Sequence, residues 1–229
     1  MGRRAVPKSA RTTDLTGYLW SVDELPAPWA EDQLFARAAP LEIEVGSGKG
    51  LFLMNAATAL PTHNFLGVEI AKNYAALTAS RLARRSIPNA AMLHGDAQKL
   101  LGQLVPDNHL QAVHVYFPDP WWKQRHRRRR VMNERFVQDI QRTLRPGGRL
   151  HFWTDVEEYF QATREMIAEA TELDGPFEVP PQPALHDMDY HTHFERRVRM
   201  NGLPVYRAEF AKRGWSVEYT VDCSRDTPE

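Results

Sequence analysis

The chain has 229 residues, 42% of them apolar and 25% charged, and its 29 basic side chains balance its 29 acidic ones. That length suits one domain with one core, and the zero net charge excludes a protein that coats nucleic acid with a uniformly basic surface. No apolar run approaches 18 residues and the basic N-terminus leads into no apolar segment, so neither a membrane span nor a secretory signal is expected and the cytoplasm is the expected compartment; the lone Cys223 supports neither an internal disulfide nor a cysteine-based metal site.

Residues 1–14 are basic, polar and aperiodic, which predicts a disordered arm ahead of a single domain over 15–213 and an extension over 214–229. From Leu41 onward, strand-like runs alternate with helix-period runs, the pattern of an α/β, doubly wound, mostly parallel sheet. The strands are expected at Leu41 to Val45, Asn64 to Glu69, Ala90 to His94, Gln111 to Phe117 and Gly148 to Thr154. Helices are expected over Leu51 to Leu60, Ala71 to Arg84, from a cap at Asn133 to Arg145-Pro146-Gly147-Gly148, and over Val156 to Thr171. Past Leu173, four prolines within eight residues predict a constrained loop. A helix from Thr192 and a strand from Val205 to Phe210, antiparallel to the rest, would complete the sheet, with Trp215 to Val221 read as an edge strand or tail.

Such sheets bind ligands beyond the carboxyl ends of their strands, so function is sought there. The first strand runs into Gly46-Ser47-Gly48-Lys49-Gly50 and then a helix, a loop that lets the backbone approach a ligand. It is not a P-loop, because Ile43 and Gly50 stand where that motif needs glycine and a hydroxyl. It departs from the dinucleotide fingerprint by one position. Glu69 ends the second strand 19 residues beyond Gly50, where an acid accepts ribose hydroxyls, and Asp96 ends the third, suited to an adenine amino group. Three acids at consecutive strand ends, Glu44, Glu69 and Asp96, crowd a pyrophosphate but suit a cationic ligand such as a sulfonium with an amino-acid ammonium.

The fourth strand ends in Phe117-Pro118-Asp119-Pro120-Trp121-Trp122-Lys123, followed by a basic run to Arg130. With Glu44 to Gly50, Gly67-Val68-Glu69 and Thr192-His193-Phe194-Glu195, in that order and spacing, this resembles the bacterial tRNA (guanine-N7-)-methyltransferase family. The resemblance implies a class I, Rossmann-like fold and S-adenosylmethionine as cofactor, with tRNA as partner and N7 of a variable-loop guanine as methyl acceptor. It makes Glu44, Gly46, Gly48, Gly50, Glu69, Asp96 and Asp119 cofactor residues, Asp119 catalytic as well, and Lys123, Asp155 and Thr192 to Glu195 substrate contacts.

The residues themselves agree with this chemistry. Guanine N7 has a lone pair and no proton, so alignment and charge stabilisation are what a protein must supply. Asp119 could meet the guanine edge, and Arg125, Arg127, Arg128, Arg129 and Arg130 could neutralise tRNA phosphates. No metal site and no obligate protein partner is read from the sequence. Other readings of these residues stay open. Asp155 serves equally as a helix cap, Thr192 and Glu195 as a capping box, and Trp121 and Trp122 as packing. Another RNA, small-molecule or protein nitrogen is the alternative acceptor. A nicotinamide oxidoreductase and a non-catalytic RNA-binding module are further classes.

Overall fold

The computed structural model describes residues 13–121, 124–181, 183–184, 186 and 189–214, with the side chains of Gln124, Arg127 and Arg128 excepted. Residues 1–12 of the arm expected over 1–14, residues 215–229 of the extension expected over 214–229, Trp122 and Lys123 lie outside the described residues.

Eight strands form one sheet. In chain order they are β1 (Leu19–Ser21), β2 (Leu41–Val45), β3 (Asn64–Glu69), β4 (Ala90–His94), β5 (Leu110–Tyr116), β6 (Leu144–Thr154), β7 (Asp174–Glu178) and β8 (Tyr206–Ala211). Their spatial order is β1-β4-β3-β2-β5-β6-β8-β7, parallel from β1 to β6 and antiparallel at β6·β8 and β8·β7. The helices are α1 (Leu51–Ala59), α2 (Lys72–Arg84), the short α3 (Ala97–Lys99), α4 (Glu134–Thr143), α5 (Glu157–Ala170) and α6 (His193–Met200). Among the described residues, no helix is long and apolar enough to cross a membrane.

The pleat explains β2. Leu41, Ile43 and Val45 point into a core shared with Phe136, Val137 and Ile140 of α4 and Phe160 and Ile167 of α5. A second core lies on the other side, where Leu53 and Met54 of α1 meet Ala75, Ala79 and Leu82 of α2 over Phe65 and Met92. Glu42 and Glu44 alternate out of the first core and are also buried. Glu42 is satisfied there: its carboxylate meets His63 Nδ1 at 2.6 Å and His114 Nε2 at 2.7 Å.

Two strands depart from expectation. β1 adds three residues beside β4, and β7 replaces part of the loop expected past Leu173. Pro176 is compatible with β7 because that strand is an edge and needs no donor on its open side. The 134–143 helix ends two residues before Arg145, and β6 begins at Leu144 rather than Gly148. Gly147, at φ 77°, carries the irregular start of that strand, where its N–H meets Lys212 O at 2.9 Å.

Candidate active site

Strand order reverses about β2, with β3 on one side and β5 on the other. The connections leaving these strands diverge and open a crevice at their carboxyl ends. A cavity of about 450 Å³ lies there, lined by Gly46 after β2, Glu69 of β3, Asp96 after β4 and Phe117, Asp119 and Trp121 after β5.

The glycine loop turns because Gly46, Gly48 and Gly50 all hold positive φ, at 79°, 51° and 70°. Gly50 has a second reason to lack a side chain, since a Cβ there would lie 2.2 Å from Thr78 Cγ2. Thr78 Oγ1 in turn donates to Gly48 O at 3.1 Å, fastening the loop to α2. Glu69 fastens its other side, accepting the Gly48 N–H at 2.9 Å and the Ala71 N–H at 2.8 Å. Asp96 caps α3 through the Gln98 N–H at 2.8 Å and is otherwise exposed to the cavity.

Glu44 sits beneath this loop, 4% exposed, and its side chain is not part of the cavity wall. Its Oε2 has no hydrogen-bond partner among the described residues. Burial pushes its pKa up to about 8; a hydrogen bond from Ser47 opposes this and the charge of Glu69 adds to it.

Asp119 is exposed, and its carboxylate makes no hydrogen bond or ion pair among the described residues. Its loop is nevertheless fixed. Phe117 and Trp121 bracket it with φ of 51° and 43°, unusual for bulky residues, and prolines stand at 118 and 120. The Phe117 N–H bonds Trp153 O at 2.8 Å, and Arg130 Nε bonds Pro120 O at 2.7 Å while its guanidinium lies 4.5 Å from the Tyr159 ring. Arg130 therefore braces this loop rather than projecting as a free cation. Arg129 stacks over Trp121 at 5.1 Å and lines the cavity, and Arg125 is exposed beside His126. Arg127 and Arg128 share the 3-10 helix of residues 124–129.

The Thr192 to Glu195 segment divides between two tasks. Thr192 caps α6 through the Glu195 N–H at 2.9 Å, as its capping-box spacing predicts. Glu195 is 2% exposed and joins the His191 N–H at 2.7 Å to Arg207 Nη2 at 2.9 Å, so it holds structure instead of facing substrate. Phe194 packs on Phe117 at 5.0 Å, which brings α6 to the Asp119 loop. His193 lines a separate arginine-rich concavity. Asp155 is half-buried and does not cap α5; the cap residue is Val156, and Thr154 Oγ1 accepts the Val156 N–H at 3.3 Å.

Residues 38–208 match the model of a family described as putative methyltransferase. A tRNA (guanine-N(7)-)-methyltransferase of Rhodopirellula baltica is 50% identical over 219 residues, covering 93% of this chain and 81% of that protein. The chain belongs to this family. Another member, from Alcanivorax borkumensis, is 35% identical over 80% of this chain and 76% of its own. The fold of the family is shared with distant solved structures. A 16S rRNA methyltransferase, KamB, aligns with a TM-score of 0.58 at 17% identity, over 80% of this chain and 92% of its own. A SAM-dependent methyltransferase from Aquifex aeolicus aligns at 0.51 and 11% identity, over 76% and 82%.

Sequence reasoning did not find Thr78, which locks the glycine loop, because its partner lies 30 residues away. It also passed over a histidine network behind the site. His114 stacks on His151 at 4.5 Å, and His151 Nδ1 lies 3.3 Å from Glu209 Oε1. Burial drives the His114 pKa down to about 4, so this ring is neutral near pH 7.

Proposed function

We propose that this protein is a cytoplasmic enzyme that transfers a methyl group from S-adenosylmethionine to N7 of a variable-loop guanine in tRNA. The observation that carries the reading is the carboxylate of Asp119, exposed and unengaged among the described residues. It shares one cavity with Gly46, Glu69 and Asp96, in a chain half identical to a tRNA (guanine-N(7)-)-methyltransferase.

The residues fit such a cofactor. Glu44, beneath the glycine loop that borders the cavity, has a buried oxygen lacking a partner among the described residues, which suits a cationic amino-acid end seated against that loop, and the three glycines leave few side chains in the way. Glu69 keeps lone pairs for ribose hydroxyls beyond the two N–H groups it accepts, and Asp96 faces the cavity for adenine. When bound, the cofactor supplies a methyl group made electrophilic by its sulfonium.

Because guanine N7 carries no proton, the protein needs no general base. Asp119 would accept the N1–H and amino hydrogens of the guanine, aligning it and offsetting the positive charge that the base acquires. Trp121 and Arg129 form the adjoining wall, an aromatic face backed by a cation.

The test is Asp119→Ala. A loss of kcat of about 10²- to 10³-fold is expected, as for removal of one electrostatic partner of a transition state, with S-adenosylmethionine affinity within about twofold by calorimetry. Nucleoside mass analysis of tRNA treated with the wild-type protein should give 7-methylguanosine. Methylation of a different base atom, or no product on unmodified tRNA, overturns the reading.

A further inference from the structure

We propose that the last turn of α2 and the first turn of α6 form a second phosphate-binding site, which holds the RNA backbone through Arg81, Arg84 and Arg85 beside His193. This rests on the tRNA reading above. The three arginines are spaced i, i+3 and i+4, so they leave α2 on one face. With Leu51, Met54 and His193 they line a concavity of about 400 Å³, and no carboxylate is among the lining side chains.

Cations in a last helical turn favour the helix dipole, which accounts for the charge. The dipole does not account for a concavity completed by a histidine from α6, nor for the missing acids. Several other arginines of this protein are paired with acids: Arg142 with Asp107 at 2.6 Å, Arg149 with Glu209 at 2.8 Å, Arg207 with Glu195 at 2.9 Å and Arg213 with Asp174 at 2.9 Å. Arg81, Arg84 and Arg85 make no ion pair among the described residues. Their hydrogen bonds go to Lys49 O at 2.7 Å, Ser80 O at 3.2 Å and Met54 Sδ at 3.4 Å, which leaves most of their donors for another acceptor. The cluster also opposes itself: the Arg81 pKa is lowered by burial first and then by Arg84 and Arg85, a repulsion that an anion would relieve.

The position suits RNA. Arg81 bonds the carbonyl of Lys49 inside the glycine loop, and Phe194, next to His193, packs against Phe117 of the Asp119 loop. The concavity therefore adjoins the reaction cavity, which Arg129 lines, across the glycine loop and the first turn of α6. Guanidinium forks match phosphate oxygens in pairs, so an RNA strand with its guanine at Asp119 would be held by its backbone beside the reaction cavity.

The full-length protein with Arg84→Gln and Arg85→Gln tests this, by filter binding of unmodified tRNA over a series of salt concentrations. The slope of log affinity against log salt is expected to flatten by about 0.7 to 0.9 for each phosphate that the variant no longer neutralises, and affinity at about 0.15 M salt to fall roughly tenfold or more. The effect should fall on the KM for tRNA rather than on kcat, and Arg84→Lys with Arg85→Lys should restore most of the slope. If the double Gln variant does not fold, Arg84→Gln alone serves, since that side chain bonds only within its own helix. A folded Gln variant with wild-type slope and affinity overturns the proposal, as does inorganic phosphate binding that the substitutions abolish without changing the tRNA slope. Failure of the tRNA reading appears differently, as wild-type protein that yields no methylated product.

Discussion

The buried carboxyl of Glu44 sets a pH dependence whose size follows from its surroundings. With its pKa raised to about 8, chiefly by burial, Glu44 is mostly protonated in the free protein at pH 7. An ammonium or sulfonium beside it favours the ionised form, so binding S-adenosylmethionine at pH 7 is expected to release about 0.9 proton per cofactor. Ionising the group costs about 1.4 kcal/mol for each pH unit below 8, which makes affinity rise nearly tenfold per unit between about pH 6 and 7.5. Above that the α-amino group of the ligand, with an ordinary pKa of about 7.7 to 8.0, loses its own proton and the rise stops. Titration calorimetry in two buffers of different ionisation enthalpy counts the proton directly. Glu44→Gln should release none and flatten the pH response, and so should methylthioadenosine on the wild-type protein, because it lacks the amino-acid group. In the cofactor-free protein the same raised pKa contributes stability that is complete below about pH 4.5 and is lost as pH rises through 8. Wild-type binding with no proton release, or undiminished release by Glu44→Gln, would refute the assignment of Glu44 to the cationic end of the cofactor.

Two substitutions test the frame of the site. Gly50→Ala should destabilise the protein by about 2 to 4 kcal/mol in urea, from a left-handed backbone and overlap with Thr78, and Thr78→Ser should recover part of that loss by removing Cγ2; an equally stable Gly50→Ala protein would contradict the tight apposition of loop and α2. Glu195→Ala should cost about 3 to 5 kcal/mol, because it leaves the buried Arg207 guanidinium without its counter-charge, and Glu195→Gln should cost less. A loss under about 1 kcal/mol in chemical denaturation would mean that water already reaches the pair.

Where the sequence was legible, the signal was local. β2, β3 and β4 begin and end at the residues expected, because apolar runs closed by glycine or an acid mark strand ends without help from the rest of the chain. β1 has three residues and exists through pairing with β4, which no local pattern announces. Gly175 and Pro176 read as breakers, and only the position of β7 at the sheet edge makes them tolerable. The site divides in the same way. Gly46 to Gly50, Glu69, Asp96 and Asp119 stand out as candidates because ligand sites of this architecture follow strand ends, and Gly46, Glu69, Asp96 and Asp119 border one cavity. Glu195 was visible as a cap partner but not as a buried anchor for Arg207, and nothing local to Arg81, Arg84 and Arg85 announces His193, which comes from more than 100 residues away.

The fixed loop from Phe117 to Trp121 bears on when order is imposed. Confining one residue's backbone to a single conformation costs about 1 to 2 kcal/mol of entropy, so these five residues represent about 5 to 10 kcal/mol. Two prolines, the bond to Trp153 O and the Arg130 brace impose that order during folding, before any RNA arrives. On the proposed function, interactions with the tRNA are thereby left for aligning the guanine. A change that merely loosened this loop would slow methyl transfer while every side chain around Asp119 still stood in place.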